Sequence, residues 1–373
     1  MHILDSLNRG GAEMLALDLC RNARDNGLDL VFVATGGGDL EDEFRRSGAE
    51  FVRLRRKLPV DPGLAARLGG IIRGRGVEVV HCHQAVEALH AHLAARGTGA
   101  RRVLTFHLCT SDAKNRLALK LLAPRVDACV AVSRDLLACL GREGFQTGGN
   151  FHVVYNGVDA RRLAPGAGSL RAELGLAGDD LLLGMVGNFY PDGRKDQLTV
   201  CRALERVFAE EPRARFVFAG GRAGAGPRLY DECVEFCRAR GLAARVHFLG
   251  ERADVPAVLS ALDLFVLSSR ADTFGVAAVE AMLAGAPAVL SDIGPFLEVS
   301  GGGEYAAHFR TGDAEDLADV LLRLIRDEEE RARLASRARA WAGRQFNIEA
   351  HIASLLRLYD GLAGGSPPRS TSN

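Results

Sequence analysis

Short apolar, β-prone runs recur along the whole chain, and stretches of about ten to twenty residues with helical spacing separate them. In order, HILD, LVFVA, FVRL, VEVVH, RVLTF, ACVAV and HVVY occupy the first half. LLLGMV, RFVFA, RVHFL, DLFVL, PAVL and YAAHF occupy the second. Nearly continuous apolar strands between helices predict parallel sheets covered on both faces, an α/β doubly wound class. The pattern lapses at Asn156-Gly157-Val158-Asp159 and at Ala164-Pro165-Gly166-Ala167-Gly168-Ser169, which predicts a linker between two similar halves. The expected domains are residues 1–164 and 165–340. From Asp313 to Leu362 the chain reads as helical, with apolar Leu317, Val320, Leu321 and Leu324, and residues 363–373 carry too little apolar content to fold.

Lys plus Arg and Asp plus Glu total 47 each, so the net charge is zero and a nucleic-acid-coating chain is not expected. No apolar run reaches the roughly 18 residues of a membrane span. The start, MHILDSLNRGGAE, lacks the basic and apolar regions of a signal peptide, so a cytoplasmic chain is expected. The eight cysteines include no Cys-x-x-Cys pair and read as small buried hydrophobes rather than a disulfide framework, with Cys233 and Cys237 on one helical face.

Open parallel sheets bind ligands beyond the carboxyl ends of their strands, so the residues after each strand are the candidates. After the first strand, Gly10 and Gly11 precede a helix expected near Met14. Their amides either approach an anion or make a plain turn. The segment is not the Gly-x-Gly-x-x-Gly fingerprint of a nicotinamide enzyme. His107 follows Thr105-Phe106 at a strand end and reads either as a sugar contact or as a satisfied structural histidine. His81 and His83 share one side of a strand, but no third residue is spaced to complete a metal site.

In the second half, GMVGNFYPDGRKDQ places Asn188, Arg194 and Lys195 between a strand and a helix. Lys195 there either neutralises a diphosphate or is a surface lysine. Gly220, Gly221 and Arg222 follow the next strand. In DLFVLSSRADTFGVAAVEAMLAGAPAVLSD, Asp272 lies in a loop, Phe274-Gly275 opens a helix, and Glu280 lies inside it. The two acids are spaced to contact different parts of one extended ligand while the Gly275 and Val276 amides meet its phosphate. Alternatively, Asp272 merely caps the helix. Glu280, in an otherwise small and apolar helix, needs a buried partner or a ligand.

Taken in order, these segments resemble the retaining glycosyltransferases of family 4, group 1. LNRGGAEMLALDL is similar to the family's first-loop motif, VVHCHQ and VLTFHLC to later strand motifs, and VVYNGVD to its hinge. VGNFYPDGRKDQ is similar to the phosphate loop, and DTFGVAAVEAMLAGAPAVLSD, with Glu298 following, to the Glu-x7-Glu signature. The resemblance runs from about residue 2 to 360. It implies the GT-B fold: two Rossmann-like domains facing a cleft, the first for the acceptor, the second for the donor, with helix 341–362 crossing back to the first. It further implies that Glu280 binds the nucleotide ribose, Asp272 the donor sugar, and Lys195 the diphosphate, with His107 beside the transferring sugar. Gly10, Gly11, Asn188, Arg194, Gly221, Arg222, Phe274, Gly275 and Val276 would complete the donor site. Two residues depart from the pattern. Asp272 is one methylene shorter than the usual Glu, and Asn188 stands where an Arg is common, so Arg194 or Arg222 would have to assist Lys195.

The implied activity is retaining, metal-independent hexosyl transfer from a nucleotide sugar, UDP-linked, to a glycan or lipid-linked acceptor in cell-surface polysaccharide, lipopolysaccharide or glycolipid synthesis. The chain has no Asp-x-Asp, and no cofactor or metal is expected. An epimerase or phosphorylase on the same fold, or a non-catalytic binding protein, are the competing classes. Between Phe51 and Arg125 there are fourteen Lys or Arg against four acids, an excess of ten positive charges that the rest of the chain balances. LRRKLPV and KNRLALKLLAPR mix cations with apolar residues there. This pattern suits either docking to an anionic lipid surface, peripheral on the inner face of a membrane, or an ordinary solvated Arg-rich face.

Overall fold

The computed structural model describes residues 1–109, 113–164, 169–223 and 228–364. Two compact units result, Met1–Val158 joined by Phe346–Asn373, and Asp159–Gln345. In the first, β1 (His2–Leu4), β2 (Val31–Ala34), β3 (Glu50–Arg53), β4 (Val79–Cys82), β5 (Arg101–Phe106), β6 (Ala128–Ala131) and β7 (Phe151–Val153) form one parallel sheet in the order 3-2-1-4-5-6-7. In the second, β8 (Leu181–Val186), β9 (Ala214–Ala219), β10 (Val246–Gly250), β11 (Leu264–Leu267), β12 (Ala288–Ser291) and β13 (Ala307–Phe309) form another in the order 10-9-8-11-12-13. Every apolar run of the sequence is a strand, and the two-sheet α/β class is as expected.

The reason is burial on both faces. Strands such as Val31–Ala34, Ala128–Ala131 and Leu264–Leu267 are buried at every position, which only sheets sandwiched between helices require. Strand order reverses at β1, between β2 and β4, and again at β8, between β9 and β11. Adjacent loops diverge at such switch points and leave a crevice at the carboxyl ends of the strands.

The last helix belongs to the first unit. Ile348–Ala363 buries Ile348, Ile352, Leu355 and Leu358 in a common core with Leu15, Ala16 and Leu19 of the helix Gly11–Asn22. Each such aliphatic side chain removed from water stabilises by about 1.5–3 kcal/mol. The return is fixed by a short parallel pairing, in which Val158 N–H donates to Phe346 O (2.9 Å) and Ile348 N–H to Val158 O (3.1 Å).

This pairing moves the boundaries. The division falls after Val158, not after residue 164, because Tyr155 and Val158 are hydrogen-bonded to the returning segment and Gly157 packs against it, so they form no free linker. Residues 341–345, expected to begin the returning helix, end the helix Glu328–Gln345 of the second unit instead. The first helix starts at Gly11, a turn earlier than Met14. Of the expected linker and tail, residues 165–168 and 365–373 lie outside the described residues.

One expectation is overturned outright. Cys109, just past β5, is disulfide-bonded to Cys139 in the helix Arg134–Arg142, with Cα atoms 6.5 Å apart. Neighbouring strands β5 and β6 bring their following segments together, a proximity that cysteine spacing alone does not reveal. The other six cysteines, Cys233 and Cys237 among them, are buried and free, as small hydrophobes are.

Candidate active site

In the second unit the residues after β8 and β11 are laced together. Asp196 N–H donates to Ser268 O (3.0 Å), Arg270 N–H to Arg194 O (2.9 Å), and Lys195 bridges Ser269. This lacing carries Lys195 to Asp272. The ammonium Nζ lies 2.6 Å from Asp272 Oδ2, with side chains 14% and 17% exposed. The other carboxylate oxygen, Oδ1, accepts from the amides of Thr273 (2.7 Å), Phe274 (3.2 Å) and Gly275 (3.1 Å). Burial raises the Asp272 carboxyl, but the Lys195 charge and these amides outweigh it and hold the group below the usual carboxylate range.

Asp272 thus holds the turn before the helix and pairs with the lysine, while the helix itself is capped by Gly275 with no side-chain hydrogen bond. The Gly275 amide, expected to meet phosphate, is already taken by Asp272. Phe274 is only 1% exposed, so it packs in the core rather than facing a ligand. Gly275 sits at φ +92°, left-handed backbone, and a Cβ there would come within 2.8 Å of Phe296. The helix Val276–Ala284 follows, and the first-turn amides of Val276 and Ala277 are of the kind that helices leave without internal partners.

Glu280, 8% exposed, has the buried partner that its setting demanded. It is ion-paired to Arg162, which lies in the 3-10 turn Ala160–Leu163. Four other expected donor contacts are held elsewhere. Asn188 Oδ1 accepts from Gly221 N–H (2.9 Å), so Asn188 and Gly221 fasten two loops to each other rather than presenting free groups. Gly220 makes that approach possible, since a Cβ there would lie 2.1 Å from Gly187 O. Arg194 pairs with Asp192 and lies over Tyr190, while Arg222 pairs with Asp231 and lies over Tyr230. Both arginines are half exposed and bound to their own neighbours.

In the first unit, Gly10 and Gly11 open the helix Gly11–Asn22 with no side-chain cap, and the Glu13 carboxylate folds back against Gly10. An acid therefore stands where an anion was expected, and burial raises its carboxyl above the usual range. His107 is half-buried after β5, and its Nε2 is hydrogen-bonded to His83 Nδ1 (2.9 Å). Burial pushes the His107 imidazole down to about 4.

Each half of the chain matches a glycosyltransferase profile. Residues 9–162 match the one described as Glycosyltransferase Family 4, and residues 168–341 match Glycosyl transferases group 1. The chain belongs to glycosyltransferase family 4. Among curated relatives of this glycosyltransferase is the N-acetyl-alpha-D-glucosaminyl L-malate synthase of Bacillus anthracis, 26% identical over 81% of this chain and 79% of the relative. Another is the lipopolysaccharide core biosynthesis mannosyltransferase LpsB of Rhizobium meliloti, 27% identical over 78% and 81%. Among solved structures, Anabaena HepE in complex with UDP-glucose superposes with a TM-score of 0.81 at 24% identity, covering 95% of this chain and 98% of that one. The architecture is GT-B.

For the glycosyltransferase, sequence reasoning missed Arg162, Glu13, His2, Thr105 and Tyr359. Arg162 follows the hinge motif by a few residues and lies between the two stretches that read as linker. His2 and Thr105 occupy strand positions, where only neighbouring strands reveal what they touch. Nothing in the sequence relates Tyr359, in the last helix, to the first strand.

Proposed function

We propose that this glycosyltransferase is a retaining, metal-independent enzyme that takes its sugar from a UDP-linked donor. The observation that carries the reading is the Lys195–Asp272 pair, fixed beside the start of the helix Val276–Ala284. As the bond from the anomeric carbon to the diphosphate breaks, negative charge develops on the leaving oxygen. Lys195 and the Val276 and Ala277 amides would stabilise that charge. The acceptor oxygen forms its bond on the same face of the sugar, and the departing diphosphate takes the acceptor's proton. Asp272 contacts the sugar ring once donor phosphates compete for Lys195. With Oε1 held by Arg162, Glu280 recognises the ribose through Oε2. No Asp-x-Asp supplies a bridging metal, and Lys195 furnishes the cation instead. HepE, with UDP-glucose, and LpsB, in lipopolysaccharide core synthesis, support a UDP donor and a glycan or lipid-linked acceptor.

The acceptor side supports a membrane-surface reading. Leu58, Val60, Leu108, Leu117 and Leu121 are the exposed large hydrophobic residues among those described, and all lie in the basic stretch 51–125. In the helix Ala113–Leu122, Leu117 and Leu121 share a stripe with Lys114, an apolar and cationic face suited to anionic lipid. Residues 110–112 of the stretch lie outside the described residues, and no described helix is long and apolar enough to cross a membrane.

A panel of UDP-, GDP- and dTDP-sugars, scored first by thermal shift and then by transfer to bacterial lipid extract, tests the donor. UDP-sugars should stabilise the protein and be consumed, and Lys195→Ala and Glu280→Ala should each abolish transfer. Unchanged turnover in both variants overturns the reading. Flotation with phosphatidylglycerol vesicles should show binding that high salt or Leu117→Asp removes; no binding at low salt overturns the membrane part.

A further inference from the structure

At the switch point of the first sheet, His107 ends a chain of hydrogen bonds running through the core. His107 Nε2 meets His83 Nδ1 at 2.9 Å, and His83 Nε2 meets His2 Nδ1 at 3.1 Å. His2 Nε2 meets the Tyr359 hydroxyl at 3.0 Å, and that hydroxyl meets His81 Nδ1 at 2.5 Å. His81 Nε2 meets Thr105 Oγ1 at 2.6 Å. His2, His81, His83, Thr105 and Tyr359 are all buried, and His107 alone is half-exposed. Burial, reinforced by mutual repulsion, keeps the imidazoles of His2, His81 and His83 far below their ordinary value of 6.5, and burial raises the Tyr359 hydroxyl.

Neutral groups impose a counting rule. The chain has five links, and each needs one proton. His83, His2 and His81 bring one apiece, and Tyr359 brings a fourth because its buried hydroxyl meets no other acceptor among the described residues, so the fifth comes from one end. If Thr105 donates it, every ring carries its proton on Nδ1. If His107 donates it, every ring carries its proton on Nε2. A ring out of step leaves two lone pairs or two protons facing each other in a buried link, or leaves the buried Tyr359 proton without an acceptor.

We propose that His83, His2, Tyr359, His81 and Thr105 are positioning residues that lock His107 into one neutral tautomer, shared by all four rings of the wire. This rests on the reading that His107 lies beside the transferring sugar. Within it, His107 serves as a fixed neutral dipole, with its Nε2 committed to His83 and the donor or acceptor character of its Nδ1 set by the wire.

Nitrogen NMR of the full chain labelled with 15N-histidine reads the tautomer of each ring directly. The four wired rings should show the same protonated nitrogen. If the unmutated rings carry their protons on Nε2, Thr105→Val strands the His81 proton and should shift all four together; if they carry them on Nδ1, it should shift none, and Thr105→Ser, which keeps the hydroxyl, should shift none in either case. His351 is the internal control, since its Nδ1 is tied separately to Tyr155 O at 2.7 Å. Four rings that differ among themselves in the unmutated protein, or a Thr105→Val change confined to His81, overturn the proposal. Shared tautomers in a chain that transfers no sugar would leave the wire standing and remove the transferase reading. Transfer with unshared tautomers would do the reverse.

Discussion

At the switch point of the first sheet a buried set of neutral side chains is joined from His107 to Thr105. At the switch point of the second the set is ionised, paired as Lys195 with Asp272 and Arg162 with Glu280. A buried neutral network costs little once every link is made, and it stays as built when a ligand arrives. Buried ion pairs are different: each member compensates a charge that would be costly alone, and a charged ligand competes for it. The first unit thus offers fixed geometry, while the second offers charge held in reserve.

The sharpest break would come at Lys195. Lys195→Met should lower sugar transfer by about 10²–10³, the loss typical of removing one preorganised group that faces developing charge, and initial-rate kinetics would show it. A smaller loss would mean that the pair belongs to the architecture rather than the chemistry.

Next is the second pair. Arg162→Leu alone should destabilise the second unit by about 3 kcal/mol, because Glu280 is left buried without its cation, and Glu280→Leu should do likewise. The double variant should cost less than either, since it leaves no orphaned charge. Urea unfolding followed through Trp341, the one tryptophan and a residue of the second unit, measures all three. Additive losses would show that the two side chains are not coupled.

The smallest effect is on pH dependence. His2, His81, His83, His107 and His351 take up protons less readily than the ordinary value of 6.5 allows, so below that pH the unfolded chain binds more protons than the folded one. Their stability contribution is full above 6.5 and is lost as pH falls toward 4. Glu87 works oppositely: burial pushes its carboxyl up to about 7, so its contribution fades as pH rises. Five imidazoles outweigh one carboxyl. In the second unit, Asp272 is held below its ordinary 3.8, and its contribution is lost only as pH falls beneath that value. Half-buried His247 and His308 are the second unit's histidines that shift the same way. From about pH 7.5 to about pH 5, the midpoint by circular dichroism should fall well ahead of the midpoint by Trp341 fluorescence. Parallel movement would erase the contrast between the units.

Strand content was almost fully legible, because a strand buried on both faces must be apolar throughout and no other element of that length is. Glu280 was legible as a candidate for a related reason, an ionisable group in an apolar helix, while Lys195 and Asp272 were legible as charged groups in loops that follow strands. Their partners were less so. That Lys195 meets Asp272 depends on the loops after β8 and β11 being laced together, and that Glu280 meets Arg162 depends on a turn between the stretches read as linker. Arg194 and Arg222 looked available only because Asp192, Asp231 and the tyrosines beneath them cannot be placed from spacing.

Local chemistry and periodicity, which act between residues a few positions apart, determined from sequence alone that this chain makes two doubly wound sheets and where their strands end. Sheet order and the returning helix decided the rest. They bring Tyr359 against His2 and His81, join Cys109 to Cys139, and turn four scattered histidines into one wire. Those contacts span up to 357 positions of chain, and a hydrogen bond carries no trace of its partner in the sequence around it.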